Sequence, residues 1–126
     1  MLVRYLTGDP PDSADRAAQV IDGETDLVIT DVALVETAYV LTSVYGIARE
    51  VVVDHLIALL RKENIRPRHL PKSLALEALR LCRPSNRVSF ADALIWAAAR
   101  ADETAVFTLD ERFPGQGIAV LRSTPP

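Results

Sequence analysis

Residues 88–110 read VSFADALIWAAARADETAVFTLD, and this stretch decides the fold class. Ser89 has the position of an N-cap residue, and the apolar residues after it recur at helical spacing, which predicts a helix over 90–101. The run AVFTL at 105–109 is rich in branched and aromatic residues and predicts a buried strand that ends at Asp110. A helix followed directly by a buried strand is typical of an α/β fold.

The same alternation of helices and strands continues along the rest of the chain. LVIT at 27–30 predicts a short buried strand, after which Asp31 caps a long helix that ends near Tyr45. The remaining predicted elements are a helix capped by Ser13 and stopped by Gly23, a helix over 48–63, a loop or short edge strand over 65–70, a helix from Pro71 to about Arg83, and a strand over 118–121. The core face of the helix over 48–63 is predicted to include Val52, Leu56, Leu59 and Leu60. This order implies a parallel sheet with helices on its faces, in one compact α/β domain over residues 1–126.

The composition is that of a soluble globular protein. Hydrophobic residues make up 49% and charged residues 25% of the 126-residue chain, which suits one domain with a substantial core. No apolar run approaches the ~20 residues of a membrane span, and MLVRYLTGDPP lacks the long apolar region of a secretory signal. The single cysteine, Cys82, fits a reducing compartment, so we expect a cytoplasmic protein.

Three lone carboxylates are the main chemical signal. Glu36 is the only charged residue in the seventeen from 32 to 48, Asp92 is the only one in the twelve from 88 to 99, and Asp110 closes the strand predicted before it. A carboxylate in apolar surroundings is costly unless a cation, a hydrogen-bond donor or water compensates it. In open α/β sheets, ligands bind at the edge formed by the carboxyl ends of the strands. We expect Glu36 and Asp110 to lie at that edge, and Asp92 can join them there if the N-terminus of its helix points the same way. A metal-dependent hydrolase is therefore the hypothesis to test.

Few other side chains in this sequence could bind a metal. One cysteine excludes a cysteine-rich zinc site, and His55 and His69 are too few for a histidine-rich centre. A metal held by carboxylate oxygens would be Mg²⁺ or Mn²⁺.

Each acid also has a structural interpretation. SFAD has the spacing of a capping box, so Asp92 can cap a helix. Asp110 opens a turn, a position where aspartate is common. Glu36 lies in mid-helix and has no cap to make, so a salt bridge to Arg87 or Arg100 is its structural alternative.

Charge is distributed unevenly along the chain. Residues 1–60 carry three basic and ten acidic side chains, whereas residues 61–87 carry eight basic and two acidic ones. Such a basic block can bind a phosphate backbone. No aromatic residue interleaves with it, which favours the simpler explanation that these residues form solvated helix faces.

Four stretches in order resemble the PIN-domain ribonucleases, and among them the VapC toxins of bacterial toxin–antitoxin pairs. They are LVRYLTGDPP near the start, VALVETAYVL around Glu36, VSFADALIWAAA around Asp92 and VFTLDERF around Asp110. The resemblance implies a PIN-like three-layer α/β fold, and an endoribonuclease dependent on Mg²⁺ or Mn²⁺ that pairs with an antitoxin and forms a homodimer. It also implies that the three acids are catalytic metal ligands, and that Thr108 hydrogen-bonds within their cluster.

The sequence departs from the family pattern at its start. The pattern opens with an apolar central strand ending in Asp-x-Asn, ahead of the stretch that matches residues 1–4, and this sequence has no counterpart of that strand or its aspartate. We therefore expect weak metal binding, poor cleavage, and a chain that is unstable or aggregation-prone by itself. A misplaced start codon is the favoured explanation, because the other motifs are intact, and a truncated gene is the alternative.

Two further functions stay open. A degenerate PIN domain would bind an antitoxin or RNA without catalysis, and its binding would survive loss of all three acids. A PIN nuclease outside toxin systems is the other, and a small antitoxin gene directly upstream would argue against it.

Overall fold

The structure, a computed structural model, describes residues 2–122 as a mostly helical α/β chain with short parallel strands. The helices are α1 (Leu2–Thr7), α2 (Pro11–Ile21), α3 (Asp31–Tyr39), α4 (Arg49–Leu60), α5 (Lys72–Cys82) and α6 (Phe90–Asp102). The strands are β1 (Leu27–Ile29), β2 (Ile65–Pro67), β3 (Val106–Phe107) and β4 (Val120–Leu121). The chain divides into two compact units, Met1–Arg68 and His69–Pro126.

Helix α4 buries five large apolar side chains in the Met1–Arg68 unit. Its buried residues are Val52, Val53, Leu56, Leu59 and Leu60. They recur every three or four positions, so they form one face of the helix, and that face contacts α3 and β2. The predicted core face of this helix is confirmed.

Helix α2 starts at Pro11, so the predicted N-cap at Ser13 is wrong. Pro10 holds the extended N-cap position and makes no side-chain cap, while Pro11 occupies the first helical turn. Proline suits this turn because its fixed φ is already helical and the missing N–H would have no partner there. The Ser13 hydroxyl instead accepts a hydrogen bond from the Arg4 guanidinium at 3.2 Å.

Helix α3 is capped by Thr30. The sequence had predicted Asp31 as the cap, and that prediction is wrong. The Thr30 backbone is extended, and its hydroxyl accepts a hydrogen bond from the Ala33 N–H at 3.1 Å. The Asp31 carboxylate accepts instead from the adjacent Val32 N–H at 2.8 Å. Both side chains lie where the free N–H groups of a helix start need acceptors.

Helix α3 continues into a π-helical turn, Val40–Val44, which no sequence pattern predicted. The Thr42 hydroxyl donates to the carbonyls of Ala38 (2.8 Å) and Tyr39 (3.2 Å), so it shares acceptors that backbone N–H groups use in a regular α-helix. The helical stretch as a whole ends at Tyr45, as predicted.

In the His69–Pro126 unit, α5 and α6 pack along each other. Helix α5 buries Ala75, Ala78, Leu79 and Cys82 on one face. From α6, Trp96 is 2% exposed, and its indole N–H donates to the Gln116 carbonyl at 2.8 Å. That hydrogen bond satisfies the one polar group of a large buried side chain.

The strands pair in two short parallel ladders, β1 with β2 and β3 with β4. The predicted parallel pairing is confirmed. The segment around Pro67, expected to be a loop or a short edge strand, forms strand β2. The strand at AVFTL is shorter than expected and is not buried, because Phe107 is 59% exposed and Leu109 is 76% exposed.

Among the described residues of its own unit, strand β1 is paired on one side only. The Leu27 N–H donates to the Asn64 carbonyl (2.7 Å), and the Ile29 carbonyl accepts from the Arg68 N–H (2.8 Å). These peptide groups of Leu27 and Ile29 therefore point toward β2. Because successive peptide groups of a strand point to opposite sides, those of Val28 face the other edge. Val28 is 59% exposed and lines an apolar groove of about 270 Å³ beside β1.

No helix within residues 2–122 is both long enough and apolar enough to span a bilayer.

Candidate active site

Asp92 lies in the first turn of α6. The Ser89 hydroxyl accepts a hydrogen bond from the Asp92 N–H at 3.0 Å, which confirms Ser89 as the N-cap residue. The reverse half of a capping box is not formed, since the Asp92 carboxylate has no hydrogen-bond or ion-pair partner among residues 69–122. This half-buried carboxylate is therefore available to a ligand.

Asp110 makes the contacts of a turn residue. Its carboxylate accepts from the Arg112 N–H at 2.9 Å and lies 3.7 Å from the Arg112 side chain. Its carbonyl accepts from the Arg122 guanidinium at 2.6 Å, and its N–H donates to the Thr108 hydroxyl at 3.1 Å. Thr108 thus bonds to the backbone of Asp110, and one oxygen of the Asp110 carboxylate has a structural role.

Glu36 lies in the second turn of α3 and is exposed. Leu34, Thr37 and Ala38 turn inward from the same helix. Val32 and Tyr39, one helical turn before and after Glu36, are 59% and 63% exposed, so they lie on the same face as Glu36. The residues next to Glu36 on the helix surface are therefore apolar, although its own carboxylate is exposed. Its carboxylate has no hydrogen-bond or ion-pair partner among the described residues of its own unit.

Arg100, a suggested ion-pair partner of Glu36, is engaged within its own unit. Its guanidinium lies 5.8 Å from the centre of the Trp96 ring and donates to the Gln116 carbonyl at 3.5 Å. These contacts place the cation over an aromatic face.

The three acids are divided between the two units of the chain. Glu36 belongs to the Met1–Arg68 unit, whereas Asp92 and Asp110 belong to the other. Across residues 2–122 no three His, Cys, Asp or Glu side chains are grouped so that they could hold a metal ion. The donor chemistry of these side chains, carboxylate oxygen, fits Mg²⁺ or Mn²⁺.

Two grooves within the units are lined by other residues. The apolar groove beside β1 is lined by residues of α1, α2, β1, β2 and α4, and by Thr30 and Ala33. A second groove, of about 790 Å³, is formed around Arg100, Thr104 and Gly117. None of the three acids lines either groove.

These features define an α/β protein with short parallel strands. Glu36 and Asp92 lie in the early turns of helices α3 and α6, and Asp110 lies in the turn after strand β3. The PIN domain family model matches residues 1–117, so the chain belongs to the PIN domain family. PIN domains are in general metal-dependent nucleases that act on RNA. No curated protein and no solved structure matches the chain.

Sequence reasoning did not foresee the arginines around Asp110. Arg112 and Arg122 bond to its carboxylate and its carbonyl respectively. The pattern Asp-x-Arg is a usable signal for the first, because an aspartate often accepts from the N–H two residues later. Nothing in the local sequence marks Arg122, which reaches Asp110 only because β3 and β4 are paired.

Proposed function

We propose that this PIN domain is an endoribonuclease that depends on Mg²⁺ or Mn²⁺ and hydrolyses RNA phosphodiester bonds. The family match over residues 1–117 carries the proposal. The carboxylates of Glu36 and Asp92 support it, because each lies at a motif position and lacks a partner within its own unit. Asp110 is proposed as the third metal ligand through its second carboxylate oxygen.

A structural role explains Glu36 and Asp92 less well than a ligand-binding role. A capping carboxylate would accept from the N–H groups of its helix start, and an ion-pair partner would lie within 4 Å. Within its unit, Glu36 has neither contact, and the cap of α6 is completed by the Ser89 hydroxyl.

The test is cleavage of labelled single-stranded RNA by the full chain with Mg²⁺, Mn²⁺ or EDTA. Glu36→Gln and Asp92→Asn should each lower the metal-dependent rate more than about 100-fold, because loss of even an outer-shell partner costs about 10–100-fold in metal affinity or activity. Glu50→Gln and Asp102→Asn change exposed acids outside the motifs and serve as matched controls.

Mn²⁺ binding, followed by the loss of its free-ion EPR signal, gives a readout that does not need activity. Both motif variants should bind Mn²⁺ more weakly than their controls do. Unchanged cleavage in folded Glu36→Gln would contradict the proposal. RNA binding without metal-dependent cleavage in any form of the chain would favour the non-enzymatic PIN module.

We further propose that the nuclease is the cytoplasmic toxin of a toxin–antitoxin pair and that it forms a homodimer. The resemblance of the four motif stretches to VapC toxins supports this. Expression of the chain should arrest growth, and co-expression of a small protein encoded directly upstream should relieve the arrest. Light scattering of the purified protein should give twice the chain mass of 13.8 kDa.

A further inference from the structure

The geometry points to the segment Arg80–Ser89 as a binding site for the phosphate backbone of RNA, beside Asp92. This inference rests on the proposed function, because it places substrate contacts next to one of the proposed catalytic acids. The segment contains none of the three proposed catalytic acids, so it is a separate site on this chain.

The fold brings the segment and Asp92 to one end of the His69–Pro126 unit. Helix α5 ends at Cys82, α6 begins at Phe90, and the two helices pack along each other. The end of α5 therefore lies beside the start of α6. Arg87 precedes Asp92 by five residues, so their Cα atoms are at most about 18 Å apart.

The segment carries positive charge alone. RLCRPSNRVS contains three arginines and no acid. Arg80, Arg83 and Arg87 are all exposed. The guanidinium groups of Arg80 and Arg87 have no ion-pair or hydrogen-bond partner among the described residues of their unit.

Helix stabilisation accounts for only part of this charge. Arg80 and Arg83 lie at the last turn and the C-cap of α5, where cations interact favourably with the helix dipole. Arg87 lies beyond the helix and gains nothing from that dipole. Arg80 and Arg87, which have no anionic partner among the described residues of their unit, would be stabilised by a bound anion.

The loop that carries Arg87 is pre-ordered. The Ser85 hydroxyl accepts a hydrogen bond from the Arg87 N–H at 3.2 Å, and Pro84 has a fixed φ. Less conformational freedom is therefore lost when this loop binds a ligand. Ser85 and Asn86 add neutral hydrogen-bond donors of the kind that contact phosphate oxygens.

The chemistry of these side chains matches a phosphodiester. Arginine presents paired N–H donors that fit two phosphate oxygens. The segment has no aromatic residue on which a base could stack, so its contacts would be independent of sequence. It would hold the strand near Asp92 and leave base selection to other residues.

The experiment measures binding of fluorescein-labelled single-stranded RNA to the full chain in EDTA, at several salt concentrations. The triple variant Arg80→Ala, Arg83→Ala, Arg87→Ala should bind about tenfold or more weakly. Its plot of log affinity against log salt should be shallower by about 2, since each lost phosphate contact removes about 0.7 from the slope.

The matched control is Arg16→Ala, Arg61→Ala, Arg66→Ala, which removes the same charge from exposed residues of the other unit. It should change affinity less than about twofold. The charge-preserving triple change to lysine should restore most of the salt slope. If the alanine triple fails to fold, Arg87→Ala alone is measured instead, because Arg87 lies in the loop outside both helices. It should also weaken RNA binding and reduce the salt slope.

Equal losses in the two alanine triples, or no loss in the first, would overturn the inference. If the wild type still cleaves RNA in a metal-dependent way, either of these two outcomes would overturn the RNA-binding site alone and leave the proposed nuclease function intact. Loss of binding confined to the first triple, without cleavage by the wild type, would support the RNA site and remove the nuclease proposal.

Discussion

The helix pair α5–α6 and the strand β3 belong to the same unit and use apolar side chains in opposite ways. In the helices, Leu79 and Trp96 are 3% and 2% exposed. In and just after β3, Phe107 and Leu109 are 59% and 76% exposed. The helices therefore complete their core with one another, whereas the strand leaves both apolar surface and peptide groups uncovered.

The comparison shows which elements stabilise the unit as it stands. Helix packing removes whole side chains from water, and each buried leucine contributes about 1.5–3 kcal/mol. The two-residue ladder of β3 and β4 supplies few hydrogen bonds and little burial. We therefore expect substitutions in the helices to change stability and substitutions at the strand to change solubility.

The largest expected effect is that of Leu79→Ala compared with Leu109→Ala. The buried change should lower the free energy of unfolding by about 2–5 kcal/mol. The same change at the exposed position should stay within about 0.5 kcal/mol. Urea denaturation followed by circular dichroism measures both, and similar values would break the comparison.

Removal of the α6 cap should have an intermediate effect. Ser89→Ala deletes the acceptor of the Asp92 N–H and should cost about 1 kcal/mol. Ser73→Ala, in the first turn of α5, removes a hydroxyl that makes no cap and should be close to neutral. A neutral Ser89→Ala would mean that the cap does not stabilise the start of α6.

Leu109→Lys sharpens the comparison on the side of the strand. A charge at this exposed position should leave stability within about 0.5 kcal/mol of wild type. It should also reduce light scattering on concentration or heating, because charged side chains near an open edge oppose strand-to-strand association. Ala98→Lys, at an exposed neutral position of α6, adds the same charge and is the control for charge alone. Equal scattering by wild type and Leu109→Lys would show that this surface does not drive association.

The smallest effect is expected from an exposed polar contact in the other unit. Hydrogen bonds from Lys62 (2.8 Å) and then Tyr5 (2.7 Å) lower the pKa of Asp22 below its ordinary value. A lowered folded-state pKa stabilises the protein above the unfolded pKa of about 3.9, and this stabilisation disappears as the pH falls through the folded value.

Asp22→Asn should therefore be slightly less stable than wild type at neutral pH, with the difference vanishing in acid. The exposure of the pair keeps the effect small. Asp15→Asn, on α2, changes an exposed acid without a hydrogen-bond or ion-pair partner among the described residues of its unit. Urea denaturation between pH 2 and 7 measures all three proteins, and a difference that persisted in acid would contradict the linkage.

Sequence reasoning predicted the element types well because long periodic helices carry a strong signal. The core face of α4 and the Ser89 cap are confirmed, since both depend on local spacing. The cap of α3 was missed because the neighbours Thr30 and Asp31 could each serve, and backbone conformation chose between them. The start of α2 was missed because its N-cap residue, Pro10, makes no side-chain cap that a sequence pattern could show. The π-helical turn was missed because no local sequence pattern predicts it.

The candidate site was harder to predict than the fold. Sequence shows that Glu36 is flanked by apolar residues, but it does not show that the helix turns the Glu36 side chain toward solvent. It shows Asp110 after a strand, but the bond from Arg122 depends on pairing with a segment twelve residues away. The grouping of the three acids into one metal site stays a prediction.

Cys82 gives the protein a chemical reporter of its own. It is the chain's single cysteine, it is fully buried, and its thiol donates to the Leu79 carbonyl at 3.3 Å. A thiol reagent can reach it only when α5 opens, so the labelling rate divided by the rate for a free thiol gives the opening constant. Agreement of that constant with global unfolding would mean that the chain opens as one cooperative domain, and easier labelling would mean that the His69–Pro126 unit opens by itself.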